Sequence, residues 1–285
     1  SSGATAGLAA AFNAPLSGVL FSLEEIYKYF SPLVLISTIT AAVVADFISK
    51  QFFGLNQVFN FSTSQAIPLN NYWILLILGI CLGIFGAFYN WITLKTQDLY
   101  AKLKCSTSIK LMIPFLLAGI LGLLFPIVLC GGHAIVEELS LTTTLSLLLL
   151  MLVAKFLFSI ISFGSGAPGG IFFPLLIIGG TFGAVFGYIA INYLGISPTL
   201  FNNFIIISMA GYFTAIVRAP ITGIILITEM TGSFTHLLSL SVVSIISYIV
   251  ADLLKSTPIY DSLLKRLLLK NNINEYHSKS TKKII

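Results

Sequence analysis

Seven stretches of the chain are apolar almost without interruption: residues 33–48, 73–91, 111–129, 145–163, 171–191, 204–217 and 237–254. A helix needs roughly 20 apolar residues to cross a bilayer, and most of these stretches approach that length. Leu147, Leu148, Leu149, Leu150, Met151, Leu152 and Val153 follow one another without the polar–apolar alternation of a transmembrane barrel strand, so the pattern predicts helices. Several stretches fall short of a full crossing or are broken by Gly and Pro, which predicts tilted and interrupted helices. An all-α membrane protein follows.

Composition strengthens this reading. Hydrophobic residues make up 57% of 285 positions and charged residues 9%, against about 25% charged in a soluble domain. Too little polar surface exists to face water on all sides. Cys81, Cys105 and Cys130 are irregularly spaced and suggest neither a disulfide framework nor a zinc site. They read as apolar filler with one juxtamembrane thiol, Cys105. No secretory leader precedes Ser1, and the chain reads as starting inside something longer.

Charge predicts orientation. Lys95, Lys102, Lys104 and Lys110 read as one short connection, and Lys255, Lys265, Arg266, Lys270, Lys279, Lys282 and Lys283 lie at the C-terminal end, whereas residues 51–94 contain no Lys or Arg. Positive short loops stay cytoplasmic, which puts the 95–110 connection and the C-terminal tail inside and the 51–71 linker outside. The net charge of +5 is that of inner-face flanks and needs no nucleic-acid partner.

Two segments repeat at an offset of 205. Asn13, Ala14, Pro15, Leu16, Ser17 and Gly18 lead to Glu24; Arg218, Ala219, Pro220, Ile221, Thr222 and Gly223 lead to Glu229. Proline in a first helical turn sacrifices no hydrogen bond, and small residues after it permit close helix packing in lipid. Each glutamate is expected near the water boundary or facing protein, since a lipid-facing carboxylate is costly. Duplicated multi-helix units are a habit of transporters.

Residues 163–174, FGSGAPGGIFFP, cannot continue a helix, yet apolar segments bracket them. Irregular backbone survives in a bilayer only where protein or a wet cavity satisfies it. A helix starting there exposes backbone N–H groups near Ile171 and Phe172 at the positive end of its dipole, able to hold an anion without a basic side chain; a purely structural break is the competing account. Tyr260, just past Pro258, offers a phenolic donor, or sits as an interfacial tyrosine. Glu25 is a carboxylate in an apolar helix, either a proton carrier or a solvated helix end beside Lys28. His133 and His236 are isolated and read as loop or interfacial hydrogen-bonding residues. No nucleophile–base pair, metal-ligand spacing or nucleotide loop is present, so the chain does not read as an enzyme and no cofactor is expected.

Together these residues resemble the CLC family of chloride channels and chloride/proton antiporters, bacterial branch. The specific signals are Gly170, Ile171, Phe172, Phe173 and Pro174, matching a GxFxP motif, preceded by Gly164 to Gly169. Residues 9–18, Gly131-Gly132-His133, and Met209 to Ala215 running into Arg218-Ala219-Pro220 support them. The similarity runs from residue 1 to about 270.

The resemblance implies a CLC-type inverted-repeat fold, incomplete at the N-terminus. Residues 1–50 would end the first repeat (helices like H and I), 51–71 form an extracellular linker, 72–254 form the second repeat, and 255–285 form a final helix and cytoplasmic tail. It implies chloride held by the N–H groups around Gly170, Ile171 and Phe172 and by the Tyr260 hydroxyl, with Glu25, and Glu24 beside it, in proton transfer. The implied partners are chloride, protons, the bilayer, a second copy meeting residues 13–49 and 219–254, and helices upstream of Ser1. The implied location is a cell inner or plasma membrane. Chloride/proton antiport by the complete protein is the expected function; a passive chloride channel, a fluoride exporter of the same fold, and an inactive fragment or scaffold are the alternatives.

Overall fold

The computed structural model describes residues 1–54, 57–59, 61, 65–167 and 169–270. Parts of the expected 51–71 linker, Pro168 of the Gly-rich segment and the expected tail at 271–285 lie outside them. Twelve α-helices are found among the described residues. They are α1 Ser2–Phe12, α2 Pro15–Phe21, α3 Pro32–Phe53, α4 Tyr72–Lys102, α5 Thr107–Leu124 and α6 His133–Glu138, followed by α7 Leu145–Gly164, α8 Phe172–Leu194, α9 Phe201–Val217, α10 Pro220–Thr231, α11 Leu237–Leu253 and α12 Ile259–Lys270. Six helical stretches among the described residues are long and apolar enough to cross a membrane, by length and composition.

The helix starts follow the local chemistry read from the sequence. Pro15, Pro32 and Pro220 open α2, α3 and α10, where the missing N–H costs nothing and the fixed φ favours helix. Left-handed residues end several helices: Asn13 after α1, Gly195 after α8, Arg218 after α9 and Gly232 after α10. One expectation needs correcting. Lys95 and Lys102 do not lie in a connection, because α4 runs on to Lys102, and Lys110 belongs to α5. The apolar run ends near Trp91, but the residues beyond it include good helix formers and no proline, so the helix continues past the end of the apolar stretch.

Helix α9 is the centre of the molecule, apolar all round and buried along nearly its whole length, as an interior helix must be. Helices α8, α11, α4 and α10 surround it. The approach is close where glycine replaces a side chain: a Cβ on Gly86 of α4 would lie 2.5 Å from the Ala215 Cβ of α9. Helices α3 and α5 instead turn most of their apolar side chains outward, among them Phe52, Phe53, Phe115 and Leu123. That distribution suits lipid or a partner surface, and it is why the hydrophobic count is so high for a chain of this length.

Candidate functional site

The Gly-rich break stops α7 at Gly164 and lets α8 begin at Phe172. Ser165 holds the turn: its hydroxyl donates to the Ser162 carbonyl at 2.7 Å and accepts from the Ala167 N–H at 3.2 Å. Gly166 then takes φ 79°, which a side chain would resist. No side chain caps the start of α8, so the first-turn N–H groups are without intrahelical acceptors. Ile171 and Phe172 are buried. The Phe172 ring stacks on Phe12 at 5.1 Å and meets Phe213 edge-on at 4.9 Å, which locks the helix start in place.

Gly170 and Ile171 line a cavity of about 250 Å³, together with Lys155, Ser159, Ser162 and Cys130. Lys155 is 1% exposed, and its ammonium donates to the carbonyls of Val128 and Cys130 at 2.9 and 2.8 Å. It is easily lost among the leucines of α7, although one lysine inside so apolar a run is the signal: an intramembrane charge faces protein or water and carries a role. The adjacent loop is built to reach it. A Cβ on Gly132 would stand 2.9 Å from the lysine Cε, and one on Gly131 would stand 2.5 Å from the Phe173 ring.

Tyr260 sits in the first turn of α12, with its ring edge-on to Phe21 at 5.8 Å; Phe21 is also edge-on to Phe172 at 5.8 Å. The two expected anion ligands thus share one aromatic neighbour, contributed by α2. The turn before Tyr260 is gripped from two sides, by Asn90, which the sequence pattern does not single out, and by Arg218, which opens the second copy of the repeat. Asn90, in the middle of α4 and 1% exposed, donates to the carbonyls of Ile216 and Thr257 at 3.1 and 3.2 Å. The guanidinium of Arg218 donates to the carbonyls of Ser256 and Tyr248 at 2.8 and 2.7 Å. Asn90 thus joins the last turn of α9 to the segment after α11, and Arg218 joins the body of α11 to that same segment, where carbonyls past a helix end lack intrahelical partners.

After α2 the chain continues as a π-helical turn, Ser22–Tyr27. Here the two glutamates part company. Glu24 faces α10: its carboxylate accepts from the Thr222 N–H and hydroxyl, both at 2.8 Å, and from the Ile221 N–H at 3.2 Å. Glu229, its counterpart in the repeat, accepts from the Leu16 and Ser17 N–H groups at 3.0 and 2.8 Å. Helices α2 and α10 therefore lie antiparallel, and the glutamate at the end of each caps the start of the other. Three hydrogen bonds engage Glu24 as a cap, where the sequence expectation placed it in proton transfer.

Glu25 points elsewhere. It is 8% exposed, and its Oε1 is buried without a hydrogen-bond partner. It lies outside the membrane-long helices, and burial pushes its carboxyl up to about 7 because desolvation disfavours the charged form. It lines a second, wider cavity of about 560 Å³ with Glu24, Lys28, Arg218 and Pro258. The histidines behave differently from each other. His133 opens α6 and stacks on Phe59 at 6.0 Å, whereas His236 is fully buried with neither ring nitrogen bonded. The expectation of a hydrogen-bonding loop residue fails for His236, because the turn from α10 to α11 folds it inward.

Residues 1–252 match the family model described as voltage gated chloride channel. An H(+)/Cl(-) exchange transporter ClcA of Vibrio parahaemolyticus is 36% identical over 284 residues, covering 96% of this chain and 60% of that protein. Another ClcA, of Klebsiella pneumoniae, is 34% identical over 280 residues, covering 96% and 59%. The chain thus spans about 60% of the length of the curated relatives it matches. Among solved structures, that of a slow cyanobacterial Cl−/H+ antiporter superposes with a TM-score of 0.84 at 32% identity, over 95% of this chain and 65% of that one. A CLC-type fluoride/proton antiporter shares the fold at a TM-score of 0.72 and 21% identity, over 90% of this chain and 63% of that one.

Proposed function

Because this chain belongs to the voltage-gated chloride channel family, we propose that it supplies the second-half anion ligands and the inner proton carrier of a chloride/proton antiporter. Chloride is held by the backbone N–H groups at the start of α8, around Gly170, Ile171 and Phe172, and by the Tyr260 hydroxyl. Neither contribution is a formal charge, so the ion is bound without being trapped. Lys155, tied to two carbonyls nearby, adds a fixed positive field.

The observation that carries exchange over passive conduction is Glu25. A passive pore has no use for a carboxyl with one oxygen buried and unpartnered, beside a wide cavity, and pushed by burial toward holding its proton up to about neutral pH. In this reading the cavity that Glu25 lines opens to the cytoplasm, protons enter through it, and α12 and the C-terminus face the same side. Exposed apolar side chains on residues 13–49 and 219–254, such as Leu16, Ile36, Ile221 and Ile249, support a homodimer meeting there. A cell inner or plasma membrane is its place.

The test is the reversal potential of the full-length protein in planar bilayers across a pH gradient at fixed chloride. Exchange moves that potential with the proton gradient. A potential that stays at the chloride equilibrium value assigns passive conduction, and one that moves with the proton gradient only after fluoride replaces chloride assigns the exporter.

A further inference from the structure

Lys28 closes the π-helical turn in the left-handed conformation, φ 58°, three residues after Glu25. Its ammonium lies 2.5 Å from the Asp261 carboxylate, one residue after Tyr260. One ion pair therefore joins the segment carrying the proposed proton carrier to the segment carrying the proposed anion ligand. Both partners are about half exposed, 45% and 47%. An exposed pair contributes little to stability, so its interest lies in where it puts two opposite charges.

Among the described residues the charges around Glu25 are few. From its own segment come Glu24 and Lys28, and from α12 come Tyr260 and Asp261. Arg218 lines the same cavity but is turned to the carbonyls of Ser256 and Tyr248. Helix α1 brings no charged side chain, and the first acid of α3, Asp46, is paired with Lys50 far along that helix. Glu24 is fixed on the start of α10. Among the described residues, Glu24 therefore adds a constant push toward the protonated form of Glu25, whereas Lys28 and Asp261 act in opposite directions through an exposed pair.

We propose that Lys28 and Asp261 are a pair of positioning residues that set the proton affinity of Glu25 from opposite sides and tie it to the Tyr260 turn. The proposal rests on the antiport reading for its meaning in transport, though not for its test. An ammonium favours the ionised carboxyl and a carboxylate favours the protonated one; Lys28 and Asp261 act on Glu25 in these two directions. While the pair is closed the two effects partly cancel. A shift of the Tyr260 segment that opened the pair would release Lys28 toward Glu25 and favour loss of its proton, which couples movement at the anion ligand to proton release.

The experiment is a direct titration of the Glu25 carboxyl by carbon-13 NMR in full-length protein with labelled glutamate, the signal being assigned by its loss in Glu25→Gln. Lys28→Met should raise the midpoint and Asp261→Asn lower it, each by about half a pH unit given the exposure of the pair. The double variant should return near the wild-type value. Two shifts of the same sign, or no shift in either variant, overturns the proposal. Proton coupling measured in Glu25→Gln tests the antiport reading separately: coupling that survives there removes Glu25 as carrier and leaves the outcome of the titration untouched.

Discussion

The two copies of the repeat are alike in their scaffold and unlike at a single decisive place. Asn13 and Arg218 both take a left-handed conformation, φ 52° and 71°, to stop the preceding helix. Ala14 and Ala219 follow with similar dihedrals, φ −135° and −115°, then Pro15 and Pro220 start the new helix. Glu24 and Glu229 cap each other's helices. The next position breaks the match. The first copy has Glu25 in a π-helical turn; the second has Met230, fully buried in an ordinary helix that ends on Gly232. What is repeated holds the helices in place, and what is not repeated carries the candidate chemistry. A π-helical turn at that spot fits the pattern, since such departures gather at functional sites.

Erasing the difference should have the largest effect. Glu25→Met gives the first copy the residue of the second. In liposomes of full-length protein, chloride flux should persist and proton movement should fall to background, measured together by a chloride electrode and a pH electrode. Stability offers an independent readout. Glu25 holds its proton more tightly folded than unfolded, so its contribution is complete below the unfolded carboxyl range near pH 4.5 and is lost as pH rises through about 7. Thermal stability in detergent should therefore fall between pH 5 and pH 8, by up to about 3 kcal/mol, and Glu25→Gln should flatten that fall.

Breaking the shared part should have a smaller and symmetrical effect. Glu24→Gln and Glu229→Gln each remove a charged cap from a partly exposed helix start, at a cost of about 1 kcal/mol apiece. Because the helices cap each other, the double variant should cost less than the sum, which a double-mutant cycle on thermal melts reads out. Glu229→Gln should leave proton coupling intact. If it abolished coupling as Glu25→Met does, the division between scaffold and chemistry would be wrong.

Much of this contrast is legible without the structure, because it depends on backbone chemistry that a sequence states openly. Ala-Pro with a glutamate nine residues past the proline announces a helix start and an anionic end, and FGSGAPGGIFFP announces a break. What those glutamates touch is not legible: a cap between residues 212 positions apart, Ser17 and Glu229, leaves no local periodicity. Lys155 and Asn90 escape for a related reason, and so does the grip of Arg218, whose place in the repeat is legible but whose partners are not. A single polar residue in an apolar run says only that something must satisfy it, and the partners here are backbone carbonyls of other segments, some in loops and some in helices. The length of α4 is misjudged from sequence because the apolar run, which registers lipid, ends before the helix does.

The smallest test concerns the first residue of each copy. Asparagine tolerates the left-handed conformation well, so Arg218→Asn keeps the helix stop and makes the second copy resemble the first. What it loses is the guanidinium that donates to Tyr248 and Ser256 and flanks the turn before Tyr260. Chloride affinity by calorimetry should weaken several-fold, with a stability loss of about 1–2 kcal/mol, while proton coupling is retained. The ion pair to Asp252 is a separate matter. At 3.6 Å, with that carboxylate 72% exposed, it is too solvated to do the holding, so Asp252→Asn should change affinity by less than about twofold. Equal losses in the two variants would mean that the local charge acts on the ion, and not the grip of Arg218 on the Tyr260 turn.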